Sequence, residues 1–153
     1  MQIDQLGSGS GLISVRLVDC VFAGNTAVAG GGALSVGEGF EFGSPLHRPS
    51  VDGCTFTANT AGKGGAISAG QQMSVDLEDC RFWDNSAVNG GAVYFHWESR
   101  SDIRDCVFRE NTATEHGGGV VAQFEQYNEF VRCRFVGNQA SLDGGGFYNP
   151  LGN

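Results

Sequence analysis

Proline is scarce in this chain, at 3 of 153 residues, and that decides how its 25 glycines are read. A Gly-rich chain so poor in Pro is neither collagen-like nor a Pro/Gly-rich disordered tract. Charge is scarce too, at 17%, which argues against a coiled coil or a disordered acidic tail. Basic charge is scarcest: 9 basic residues stand against 17 acidic, a net of −8. The footprint of a nucleic-acid binder is therefore missing. No apolar run approaches the ~18–20 residues of a membrane span. The opening MQIDQLGSGSGLIS has no basic n-region and no apolar h-region, so it does not read as a secretory signal. Either the protein is not secreted by that route, or Met1 starts a fragment. What is present is 41% hydrophobic content with 11 Phe, enough for one core over residues 1–153.

The five cysteines each open the same phrase. The copies are CVFAGNTA from Cys20, CTFTANTA from Cys54, CRFWDNSA from Cys80, CVFRENTA from Cys106 and CRFVGNQA from Cys133. A second phrase follows each one: GGAL at Gly31, GGAI at Gly64, GGAV at Gly90, GGGV at Gly117 and GGGF at Gly144. The intervals between cysteines are 34, 26, 26 and 27. Helical repeats have longer periods and i, i+3, i+4 apolar spacing. Here the local spacing is 2, as in Cys80/Phe82 and Val93/Phe95, so each repeat holds about three short strands broken by turns. Stacked coils of this kind make an all-β, right-handed, single-stranded parallel β-helix, a solenoid. About five coils are expected, starting near 12, 49, 74, 101 and 128. At ~4.8 Å per coil the rod is roughly 24 Å long.

Each consensus residue then becomes a ladder. Cys20, Cys54, Cys80, Cys106 and Cys133 stack inside, beside Phe22, Phe56, Phe82, Phe108 and Phe135. Asn25, Asn59, Asn85, Asn111 and Asn138 stand at a corner, where Asn tolerates a left-handed backbone and its amide can pair with the next coil or close the turn. The alanines two residues on mark a tight corner, and the GG pairs a second one. Leu34, Ile67, Val93, Val120 and Phe147 fill one wall; Leu17, Val51, Leu77, Ile103 and Phe130 fill another.

F-x-x-N paired with G-G-A-[ILV] resembles the repeat of the polymorphic outer-membrane proteins first described in chlamydiae, and of related bacterial β-helix surface proteins. Phe22/Asn25 with Gly31–Leu34, Phe56/Asn59 with Gly64–Ile67, and Phe82/Asn85 with Gly90–Val93 carry the likeness. The last two copies depart from it at the Ala. The resemblance implies the passenger part of an autotransported surface adhesin. It also implies an extracellular or outer-surface location and a protein or glycan partner on a cell surface. The family's C-terminal membrane barrel is not among these 153 residues, which is expected either of a fragment or of a small protein using the same coil for another purpose.

Five cysteines are odd in number, and in-register strands aim their Cβ atoms alike, which suits disulfides poorly. No C-x-x-C is present and no His joins the ladder, so no metal is expected. Buried thiols acting as small apolar residues remain the plainest reading. His47, His96 and His116 hold unrelated repeat positions. No cofactor fingerprint appears, the GGG runs belonging to the repeat.

Asp79 and Asp105 precede their cysteines one coil apart, where paired carboxylates could share a proton or flank a glycosidic bond. Against this weak catalytic reading, Asp suits the bend before the Cys, with Glu78–Arg104 and Asp105–Arg132 as ordinary cross-coil pairs. The long interval marks an insertion, 36–49, carrying Phe40, Phe42, His47 and Arg48: a binding loop or a lid. Trp97, Phe124 and Tyr127 lie in neighbouring loops and form either a surface platform or core. Trp83 faces outward, where Arg109 can cap it. The sequence thus points to a non-enzymatic adhesin passenger or stalk. The alternatives are a filament subunit whose copies stack end to end and, more remotely, a carbohydrate-binding or carbohydrate-cleaving rod.

Overall fold

A computed structural model describes residues 2–3, 15–37, 48–123 and 127–150. Strands of two to four residues follow one another, with no α-helix among the described residues. Each strand pairs in parallel with its counterpart one repeat away. The result is a right-handed parallel β-helix. The chain winds through four sheets in a fixed order, B, C, D, A. Sheet B holds Arg16–Val18, Ser50–Asp52, Asp76–Glu78, Asp102–Arg104 and Glu129–Val131. Sheet C holds Val21–Ala23, Thr55–Thr57, Arg81–Trp83, Val107–Arg109 and Arg134–Val136. Sheet D is short: Thr60–Lys63, Ser86–Asn89, Thr112–Ala113 and Gln139–Ala140. Sheet A runs through Leu34–Val36, Ile67–Ala69, Val93–Phe95, Val120–Ala122 and Phe147–Tyr148, with Gln2–Ile3 paired beside Leu34–Val36. Four turns close fully between the first and last strands of sheet B. The fifth passes through all four sheets without returning to its start.

The expectation of three strands per coil is corrected to four. The segment after the Asn is itself a strand, with one inward residue, Ala61, Ala87 or Ala113, at its second position.

The inward ladders hold in register. The Phe rings stack at 4.8, 4.9, 4.8 and 4.8 Å, tilted by no more than 7°. Each such pair contributes ~0.5–1.5 kcal/mol beyond the area it buries. Phe56, Phe82 and Phe108 have no exposed surface, and the wall residues Leu34, Val51, Ile67, Leu77, Val93 and Ile103 are equally sealed.

The Asn ladder is saturated. Asn85 Oδ1 accepts from the Asn59 backbone N–H at 3.0 Å and from Asn59 Nδ2 at 2.9 Å. Asn85 Nδ2 donates to Asn111 Oδ1 at 2.9 Å and to the Phe56 carbonyl at 3.0 Å. All four hydrogen-bonding positions of a buried amide are used, which is what makes its burial tolerable. The left-handed backbone expected at Asn falls one residue earlier, on Gly24, Ala58, Asp84, Glu110 and Gly137. The Asn itself must stay extended to bond along the axis.

Two further left-handed columns complete the bends. One is Asp19, Gly53, Asp79, Asp105 and Arg132, between sheets B and C; the other is the first Gly of each GG phrase, between D and A. The second demands glycine for space as well as φ: a Cβ on Gly64 would run into the Ile67 carbonyl.

Candidate functional site

Alternation on sheet B turns two columns of side chains outward. The first reads Arg16, Ser50, Asp76, Asp102, Glu129; the second Val18, Asp52, Glu78, Arg104, Val131. Between them lies a half-open groove of about 320 Å³, lined by Arg16, Ser50, Asp52, Asp76, Glu78, Asp102 and Arg104 over a floor of Val51 and Leu77. Its carboxylates are largely paired. Arg16 reaches Asp52 at 3.4 Å, and Arg104 reaches Glu129 at 2.6 Å and Asp102 at 4.0 Å. The cross-coil pair expected between Glu78 and Arg104 is therefore corrected: Arg104 turns toward the diagonal Glu129. Partly exposed pairs of this kind contribute ~0–1 kcal/mol each.

Arg48 is the one described side chain of the expected binding set in the insertion. Its guanidinium donates to Asp76 at 2.6 Å and to the Arg100 carbonyl at 2.7 Å, with Asp102 at 3.8 Å. It clamps the end of the insertion across the next two coils. Phe40, Phe42 and His47 lie outside the described residues, as does Phe124.

Asp79 and Asp105 both sit at left-handed bends, φ 50° and 53°. Arg132 grips Asp105 through two hydrogen bonds, 2.6 and 2.5 Å. Those bonds, together with the nearby charges of Arg132 and Arg104, hold the Asp105 carboxyl below its ordinary range. A carboxylate so held is a poor partner for sharing a proton with Asp79. What the geometry supports is the role of Asp at the bend.

Trp97 and Tyr127 are exposed, at 50% and 73%, so neither is core. The Trp97 indole N–H donates to Gln123 Oε1 at 2.9 Å, and the Arg100 guanidinium lies 4.9 Å from the Tyr127 ring centre. Neighbouring loops are tied together beneath them: Gln72 Nε2 donates to Glu98 at 2.6 Å, and the Val75 N–H to Ser101 Oγ at 3.0 Å. The expected capping of Trp83 is corrected. Arg109 bonds its neighbour Glu110 at 3.0 and 2.9 Å instead, a short reach that leaves the indole uncapped.

All five cysteines are free thiols. Each donates to the carbonyl two residues back, as Cys80 does to Glu78 at 3.2 Å, so the sulfur satisfies the bend it occupies. Burial pushes the Cys54 thiol up to about 11. The neighbouring sulfurs of Cys133 and Cys80, then burial, raise that of Cys106. Cys133, in the last coil, is drawn down to about 7 by the neighbouring Cys106 thiol, against the effect of its burial.

The sequence reading missed the column Arg16, Ser50, Asp76, Asp102, Glu129. Its signal was available, since each of these residues stands four before a ladder Cys. No match was found among curated proteins, and none among solved structures. A family model described as "Right handed beta helix region" matches residues 6–151, nearly the whole chain. Four parallel sheets, in-register ladders and this match together make the chain a member of the right-handed β-helix family.

Proposed function

We propose that this chain is a non-enzymatic rod of a bacterial-type surface or extracellular protein, serving as an adhesin passenger or a stalk. The observation that carries the reading is where the chemistry sits. The interior is given over to saturated ladders of Phe, Cys and Asn, while Asp52, Asp76, Glu129 and Asp105 on the outer face are engaged by Arg16, Arg48, Arg104 and Arg132. A scaffold of that kind displays side chains at a fixed rung spacing and suits recognition better than turnover. The likeness of its F-x-x-N and G-G-A-[ILV] phrases to the polymorphic outer-membrane repeats supports the surface setting. Display of the chain on a bacterium that does not adhere should confer attachment to host-type cells. Attachment equal to that of the bare bacterium would refute the adhesin role. Hydrolysis of an acidic polysaccharide, abolished by Asp79→Asn or Asp105→Asn, would replace the reading with an enzymatic one.

One observation favours end-to-end assembly as a second reading. In the last described coil Asn138, which bonds the Phe108 carbonyl at 2.8 Å, is only half-buried, where Asn59, Asn85 and Asn111 are sealed. Phe147, on an inward column, is 39% exposed. A concentration series by sedimentation velocity tests it: a single monomer species throughout would rule it out.

A further inference from the structure

The outer face of sheet C is unlike the rest of the surface. It is the one sheet that presents arginines outward with no acidic residue among them, in a protein of net charge −8. Its three later strands present Arg81, Trp83, Val107, Arg109, Arg134 and Val136. Arg16, Arg48, Arg104, Arg109 and Arg132 each have a carboxylate partner. Arg81 and Arg134 are exposed and have none among the described residues.

We propose that this face docks an acidic polysaccharide whose anionic group recurs once per disaccharide. The proposal rests on the surface-protein reading above and names its partner. Arg81, Val107 and Arg134 are successive rungs of one column. The two guanidiniums therefore stand two rungs apart, ~9.6 Å at the ordinary strand spacing. That is close to the length of a disaccharide in an extended polysaccharide. Each fork can take a carboxylate or sulfate in bidentate fashion, while Val107 meets the intervening ring. Trp83, in the adjacent column, is 39% exposed with its indole uncapped. Trp and Arg are both enriched among the residues where binding energy concentrates.

The borders of the face select the shape of the ligand. Asp79 and Asp105 line one side, Asp84 and Glu110 the other. Asp105 and Glu110 are neutralised by Arg132 and Arg109; Asp79 and Asp84 remain as negative rims. A narrow chain lying along the centre line avoids them, whereas a broad polyanion such as duplex DNA is carried over them.

The test uses the full chain over immobilised hyaluronan and chondroitin sulfate, with neutral dextran, duplex DNA and polyglutamate as comparisons. Binding to at least one of the two acidic polysaccharides is expected, weakening as salt is raised. Arg81→Ala with Arg134→Ala should lower affinity roughly tenfold or more, and Trp83→Ala should lower it too. Lys63→Ala removes one positive charge on another face, as each single arginine substitution does, and should leave affinity unmoved. These side chains point to solvent, so an unchanged unfolding midpoint certifies each variant. Failure to bind both polysaccharides, equal affinity for DNA or polyglutamate, or a loss that follows Arg104→Ala instead would overturn the proposal. Cell attachment that survives the Arg81/Arg134 double substitution would sink this partner while leaving the adhesin reading standing. Polysaccharide binding without any cell attachment would do the reverse.

Discussion

Replacing Asn85 by Ala removes the centre of the Asn ladder. The Asn59 backbone N–H loses its acceptor at 3.0 Å and one Asn59 Nδ2 hydrogen loses its acceptor at 2.9 Å. Both donors belong to a residue with no exposed surface, so water cannot replace what is lost. Asn111 Oδ1 still receives the residue-85 backbone N–H at 3.0 Å, so the acceptor side suffers less. A buried group left unpaired costs ~1–3 kcal/mol. Two such donors give ~2–6 kcal/mol, and a value of about 4 kcal/mol is expected. The matched substitution in the first coil, Asn25→Ala, removes only the 2.8 Å bond to Asn59 Oδ1, which keeps the residue-25 N–H at 2.9 Å. Because Asn25 is exposed, its loss should cost less than ~1 kcal/mol. Urea unfolding followed by far-UV circular dichroism compares the two. Hydrogen exchange at the Asn59 amide adds a local readout, since solenoids can open coil by coil. Costs for the two variants within ~0.5 kcal/mol of each other would refute the claim that the ladder stabilises through saturation. Asn85→Asp separates hydrogen bonding from volume, because it keeps the shape and sets a carboxyl oxygen against the Phe56 and Asn111 oxygens. Its carboxyl is raised in the fold, so that variant should lose stability as pH climbs through the ordinary carboxylate range, and regain it in acid.

Four further outcomes are expected. Phe82→Ala opens a hole between Phe56 and Phe108 and should cost ~3–5 kcal/mol; an unchanged melting point would mean the ring stack is not a core. Gly24 and Gly64 share a left-handed backbone, but a Cβ meets nothing at Gly24 and backbone at Gly64. Gly24→Ala should thus cost only the strain of ~1–2 kcal/mol and Gly64→Ala clearly more, as equilibrium unfolding will show. A thiol reagent at neutral pH should label Cys133 first and Cys20 next, with Cys54, Cys80 and Cys106 reacting only after denaturation; early labelling of Cys54 would contradict its burial. Asp105 should titrate below the ordinary aspartate range by carboxyl NMR, and Arg132→Ala should move it upward. The stability that this pair contributes is present above the unfolded carboxyl's pKa and is lost as pH falls through the depressed value.

The parts of the fold legible in the sequence are those where one residue type recurs because the environment admits little else. Cys, Phe and Asn recur because a stacked interior repeats the same volume and the same hydrogen bonds at every coil. Sheet D was hidden because its strands place a single small inward residue, Ala61 or Ala87, where no alternation can be seen. The left-handed column before the Asn was hidden for the opposite reason. Gly24, Ala58, Asp84, Glu110 and Gly137 share a backbone angle and no chemistry. At the surface, register gave Arg104 two acidic neighbours, and only side-chain reach selects Glu129 over Glu78. Arg48 belongs to no repeat column, so its hold on Asp76 and Arg100 could not be read by counting from the cysteines.

The three left-handed columns fix the connections from B to C, C to D and D to A at nearly constant length. The connection from A to B repeats a left-handed residue in the two middle coils, at Gln72 and Glu98, but its length is not constant. It runs through residues 70–75 and 96–101 in the middle coils, yet stretches over 37–49 after the first. The rod therefore has one side along which length can change without shifting the register of any ladder. Foreign peptides grafted there would be spaced along the axis by the coil rise, and the molecule would serve as a ruler for placing two or three epitopes at set separations.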